Sequence, residues 1–195
     1  PSRTFIFFSA ILLLAAGLAQ AKGIPVSVSG GARSIAMGGA FTAVADDANA
    51  ILINPAGLPL LQRQELSFSY ANRYTFIKNS FAGYVLPLFD NHALGFDWKR
   101  ESFSDPELGF SENVMNVSYG YRIHPRLSIG AGVKRVSQSL DLDRNTLRSA
   151  SGLGFDASVL ITPTRRVRIA WVLQDIGGTS VKYNQRSDKI ASMGV

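Results

Sequence analysis

The 195 residues include no cysteine, which excludes a disulfide framework and any thiolate-held metal. Net charge is +6, yet the basic side chains are scattered or sit in turns such as Arg165-Arg166; they do not gather into the stripe that nucleic acid requires, so nucleic acid is excluded as a partner. Eighteen glycines and 10% aromatic residues suit a β protein with many tight turns better than a helical one.

The chain begins with the three zones of a secretory signal. Arg3 supplies positive charge, residues 5–18 are almost wholly apolar, and Ala19-Gln20-Ala21 is a small-x-small cleavage site. The apolar run is shorter than the roughly 20 residues a spanning helix needs, so residues 1–21 read as a signal peptide and Lys22 as the start of the mature chain.

Residues 22–63 are rich in small side chains and short helical signals. Asp46 or Asp47 is placed to cap a turn through Ala48, Ala50 and Ile51, where a carboxylate accepts orphan amide hydrogens. That turn must stop near Asn54, because the residue before a proline is pushed out of helical conformation. Asn54 can then cap a second short turn with Pro55 at its first position, ended by Gly57 and Pro59. The run of small residues at Ala36, Gly38, Gly39, Ala40, Ala43 and Ala45 allows close packing against other backbone, as a plug inside a lumen requires.

From residue 64 to 195 the dominant period is two, the mark of antiparallel strands. Leu66, Phe68 and Tyr70 alternate with Ser67, Ser69 and Ala71; residues 80–88 are apolar on both sides, so their facing is ambiguous. Leu94, Phe96 and Trp98 then alternate with Gly95, Asp97 and Lys99, and the pattern repeats through Met115 to Ile123, Leu127 to Val133, Leu153 to Ile161 and Val167 to Leu173. Runs of about 9 to 13 residues match tilted membrane-spanning strands better than the usual 5 or 6 of a soluble sheet. Residues 88–92, 124–126 and 163–166 form tight turns, whereas 103–110, 139–150 and 175–188 read as longer polar loops. Short turns at one end and long loops at the other are expected of an outer-membrane barrel, and a soluble sandwich explains them less well. The fold class is therefore all-β: an antiparallel transmembrane β-barrel, about seven to eight strands of it here, with a short N-terminal helical plug. An open sheet leaves edge amides unpaired in hydrocarbon, so the expectation is the N-terminal part of a larger barrel, with residues 189–195 beginning another strand.

The run GARSIAMGGAFTAVADDANAILINPAGL resembles the N-terminal signature of the FadL-like outer-membrane barrels, and within them the PorV/PorQ branch; it is also similar to the hatch of long-chain fatty-acid and aromatic-hydrocarbon transporters. The resemblance is dense over residues 30–58 and continues as strand pattern alone from 64 to 195. It implies that Asn54, Pro55 and Ala56 lie in a hatch inside the barrel, and that the location is the bacterial outer membrane, with lipid as one partner. Two functions follow. One is a plug-gated channel for a hydrophobic small molecule such as a fatty acid; the other is a PorV-like non-enzymatic barrel that receives a secreted protein on its extracellular loops, among them 139–150.

No catalytic constellation emerges, so no enzyme activity, cofactor or metal is expected. Asp46 and Asp47 are neighbours whose side chains point apart, which suits capping better than paired-carboxylate chemistry. His92 and His124 have no ligand-spaced companions. Asp97, Lys99, Glu101, Asn116, Lys134, Asp156 and Arg168 share the strand face opposite the apolar stripe, so they are expected to line the lumen and largely neutralise one another. A Lys or Arg on the lipid side costs about 2 to 4 kcal/mol at the midplane, which makes this register decisive.

Overall fold

The alternation produces what it promises, a long antiparallel meander. A computed structural model describes residues 31–104, 108–142, 145–164, 166–176 and 182–184. The strands are β1 (Glu65–Arg73), β2 (Ile77–Phe89), β3 (His92–Ser104), β4 (Leu108–His124), β5 (Leu127–Leu142), β6 (Asn145–Thr164), β7 (Val167–Leu173) and β8 (Lys182–Asn184). β1 to β7 pair in sequence order, and β8 pairs with β6 beyond the end of β7. The sheet curls into a half-barrel, with β1 and β7 at its two edges among the described residues.

Period two divides the sheet into unlike faces. The convex face is apolar and exposed: Phe68 is 72% exposed and Leu66 61%, and Trp98, Met115, Val117, Tyr119, Val133, Phe155 and Trp171 continue the band. The concave face buries Asn79, Asp97, Lys99, Asn116, Ser118, Lys134 and Asp156. β2, ambiguous in sequence, turns Phe81, Gly83 and Val85 inward. Both its sides are apolar because the inner one meets a hydrophobic cluster. That cluster consists of Phe41, Ala45, Ala48, Ala50, Ile51, Leu58 and Leu61, and only Val85 and Ala93 come from strands. The core of the described structure is thus the seam between the N-terminal segment and the wall.

The segment itself forms α1 (Ala32–Ala36), α2 (Ala50–Ile53) and a 3-10 helix (Pro55–Leu60). Its details bear out two expectations and correct a third. Asp47 caps the turn that leads into α2, its carboxylate accepting from the Asn49 backbone N–H at 2.8 Å and its carbonyl from Ala50 N–H at 2.9 Å, while Asn49, next to the helix, makes no side-chain cap bond. Asn54 does cap the second turn, accepting from Ala56 N–H at 3.0 Å, with Pro55 behind it. Gly57 and Pro59 lie inside the 3-10 helix and do not end it. Gly57 is required there, since a Cβ would strike the backbone oxygen of Ala45.

The strands are also longer than the expected 9 to 13 residues: β4 has 17, β5 16 and β6 20. Residues 103–110 and 139–150 are therefore mostly strand, with Phe103 opposite Phe110 and Leu140 opposite Arg148. The polar residues there decorate ladders that continue past the apolar band, where period two loses its contrast. At the same end β1 and β2 join through Tyr74 and Thr75, both left-handed at φ 57° and 66°. The opposite end carries the tight turns at 89–92, 124–127 and 164–167. The expected signal peptide and the strand at 189–195 lie outside the described residues.

Candidate functional site

Strand register arranges the concave wall in rows. Nearest the tight turns runs Pro87, Ala93, Gly120, Gly130 and Ser158; next come Val85, Gly95, Ser118, Gly132 and Asp156; then Gly83, Asp97, Asn116, Lys134 and Gly154. Above them lie Phe81, Lys99, Val114 and Val136, followed by Asn79, Glu101, Glu112 and Gln138. The lower rows are dominated by glycine and serine, the upper by charge and amide.

The N-terminal segment occupies the lower rows, and glycine is what admits it. A Cβ on Gly120 would stand 2.6 Å from both Pro55 O and Pro59 Cδ; one on Gly95 would stand 2.7 Å from Ile51 Cγ1, and one on Gly130 would collide with the Ala56 nitrogen. Such separations lie well below van der Waals contact, so any side chain must displace the 3-10 helix or the wall. These glycines, which composition assigned to turns, sit mid-strand with their missing side chains aimed inward. Their parity, shared with Asp97 and Asn116, was the signal that could have found them.

Hydrogen bonds then fix the plug, and nearly all have one polarity. Wall side chains donate and plug carbonyls accept: Asn116 Nδ2 to Ile51 O at 3.2 Å, Ser118 Oγ to the same oxygen at 3.3 Å, Arg168 to Val44 O at 2.8 Å, Gln174 Nε2 to Leu52 O at 3.3 Å, and Arg122 to Pro59 O. In the reverse direction Ala56 N–H donates to Ser158 Oγ at 3.0 Å. Asn54 is fully buried and ties the plug to itself, donating to Thr42 O at 2.7 Å. Short segments with little helix propensity keep their shape here because tertiary contacts satisfy their carbonyls.

Asp46 and Asp47 stand at the plug's exposed side and hold Arg33, whose guanidinium lies 2.7 Å from Asp46 Oδ1 and 3.0 Å from Asp47 Oδ2. Hydrogen bonds to those carboxylates, Asp46 first, raise the guanidinium pKa above its ordinary value. Arg168 reaches Asp46 at 3.9 Å, so one end of the pair is stitched to β7.

Higher on the wall, Lys134 Nζ lies 3.0 Å from Asp156 Oδ1 and 3.1 Å from Asp175 Oδ1. Asp175 follows β7 in left-handed conformation, φ 55°, and its backbone N–H also donates to Asp156 at 2.8 Å. This triad closes β5, β6 and the end of β7 into one unit. Lys99 lies 3.9 Å from Glu101. Of the residues expected in the lumen, Asn116, Lys134, Asp156 and Arg168 thus bind plug or neighbour, as does Lys99. Asp97 differs: it is 6% exposed, and although the Asn116 amide lies beside it, neither carboxylate oxygen accepts a hydrogen bond of full geometry among the described residues. Gln174, Ser118, Ser158 and Arg122 were not singled out in the sequence, although the alternation puts the last three on the inner face.

His92 packs against Tyr121 with ring centroids 4.5 Å apart and approaches Tyr119 OH at 2.6 Å, while His124 accepts from Arg126 N–H at 3.2 Å. Both lie at strand ends beside tight turns, His92 opening β3 and His124 closing β4. Among the described residues no group of three or more His, Asp or Glu side chains is arranged to hold a metal, and no helix is long and apolar enough to cross a membrane.

These features define a class: an antiparallel half-barrel wall, apolar outside, with the short-helical N-terminal segment seated on its polar, glycine-lined inner face. One family profile, described as Uncharacterised protein family (UPF0164), matches residues 16–139. The match covers more than half of the chain and takes in the plug and strands β1 to β4, so the chain belongs to that family. No curated protein and no solved structure matches.

Proposed function

We propose that this chain is part of a FadL-like β-barrel of the bacterial outer membrane, non-enzymatic, whose N-terminal segment gates the passage of a hydrophobic small molecule such as a fatty acid. The observation that carries this reading is the pairing of faces. A continuous exposed apolar band on the convex side suits lipid, and a segment seated by backbone contacts on the concave side suits a removable stopper. Ligand in the lumen shifts the turn around Asn54, Pro55 and Ala56, and the path opens.

The test uses the full-length protein in cells whose outer membrane carries it. Asn54→Ala, which removes the cap and the tie to Thr42, and Pro55→Ala alter uptake of labelled oleate or toluene by severalfold while the heat-modifiable barrel still assembles. Unchanged uptake of every lipophile removes the gating role. Recovery of the mature full-length chain as a water-soluble monomer without detergent removes the membrane reading altogether.

One observation favours a second reading, a PorV-like barrel that receives a secreted protein. β4, β5 and β6 exceed the roughly 9 to 11 residues of a spanning strand, and their far ends carry Ser111, Glu112, Asn113, Ser137, Gln138 and Ser139 on a paired, rigid ladder. A protruding polar hairpin offers a protein-binding surface. Shortening that hairpin by matched pairs within 139–150 then abolishes protein capture and leaves small-molecule uptake unchanged.

A further inference from the structure

We infer that Asp97 is the anchor for a positively charged donor group, a primary ammonium or its equivalent, on the molecule that the barrel admits, and that the plug covers this anchor until it lifts; the inference rests on the transport reading. The plug presents mostly carbonyl oxygens to the wall, so wall donors are satisfied by it, and among wall acceptors only Ser158 receives one of its N–H groups among the described residues. Asp97 is an acceptor that receives none. It lies between Gly83 and Asn116 in the ladder, and both flanking positions meet Ile51: a Cβ on Gly83 would stand 3.4 Å from Ile51 Cδ1, and Asn116 Nδ2 donates to Ile51 O. Lifting α2 therefore uncovers the carboxylate.

The slot has the chemistry of a donor site. Asp97 Oδ1 and Oδ2 and the directly opposite Asn116 Oδ1 are buried acceptor oxygens without a hydrogen-bond partner among the described residues. The neighbouring ammonium groups form ion pairs with other carboxylates, Lys134 with Asp156 and Asp175 and Lys99 with Glu101, and act on Asp97 through space without donating an N–H to its oxygens. An incoming primary ammonium has three N–H donors, one for each oxygen, whereas a carboxylate headgroup is repelled by Asp97, so among the lipophiles of the transport reading this anchor favours amines over fatty acids. Bare calcium takes 6 to 8 oxygens, and this pair of side chains falls short. Higher on the wall Glu101 stands directly opposite Glu112, so a cation approaching from the far end passes a second acidic row. Because bound ammonium and seated plug compete for the same space, the ligand binds the open state and shifts the plug toward it.

The experiment uses the full-length protein with hexylammonium and hexanoate as probes of equal chain length. Binding is followed by calorimetry, and plug lifting by maleimide labelling of Leu52→Cys, a reporter position in a chain segment that has no other cysteine. Hexylammonium is expected to bind at least about tenfold more tightly than hexanoate and to accelerate labelling, and the near-isosteric Asp97→Asn to lose both effects while heat-modifiable assembly is retained. Equal or tighter binding of hexanoate, or an Asp97→Asn variant that still responds, overturns the inference. If toluene uptake by cells carrying the native protein nevertheless exceeds that of cells lacking it, the transport reading survives that result. If uptake is no faster, both fall together.

Discussion

The lower and upper rows of the concave wall are made by the same strands, yet they specify the interior in different ways. Around Gly95, Gly120 and Gly130 the wall specifies shape, since the plug fits only because side chains are missing. Around Lys99 and Lys134 it specifies charge, with ammonium groups buried deeply enough that each needs a carboxylate companion, while Asp97 beside them stands without a hydrogen-bonded donor among the described residues. Packing tolerates no addition below, and electrostatics tolerates no subtraction above.

The largest effect is expected from subtraction in the upper rows. Lys134→Met leaves Asp156 and Asp175 facing each other without their cation, and should destabilise the full-length barrel by about 3 to 5 kcal/mol in reversible urea unfolding from lipid vesicles. A loss below about 1 kcal/mol would erase the distinction between rows. Addition in the lower rows comes next. Gly120→Val pushes two methyl groups toward Pro55 and Pro59, costs about 1 to 3 kcal/mol, and should expose the plug to protease while the strands stay protected. Smallest is Arg33→Ala at the plug's exposed side, where about half of the guanidinium side chain is open to solvent; a change under about 1 kcal/mol, shrinking further in high salt, sharpens the contrast with the buried triad.

The strands, their facing and the inward set from Asp97 to Asp156 were legible because one alternation encodes all three. Legibility failed where two signals had to be weighed by packing. Gly57 and Pro59 are helix breakers by local propensity, but a 3-10 turn buried against Ala45 tolerates one and requires the other. The ends of β3 to β6 were read as loops because polar residues on both sides erase the period, while the backbone ladder continues regardless of side-chain type. The sequence could not choose between Asp46 and Asp47 as the cap; Asp47 takes it, while Asp46 reaches out to Arg33. The Lys134 triad could not be anticipated in full, since Asp175 turns inward only through a left-handed residue after β7.

The distances along the chain between the plug and its tethers have a consequence for biogenesis. Ala56 meets Ser158 across 102 positions, Leu52 meets Gln174 across 122, and Val44 meets Arg168 across 124. Part of the segment synthesised first must therefore wait, with the Val44 and Leu52 carbonyls still hydrated, until the sixth and seventh strands have been laid down. A nascent chain stalled after β5 would hold Ile51 and Pro59 through Asn116, Ser118 and Arg122 but leave Val44, Leu52 and Ala56 untethered.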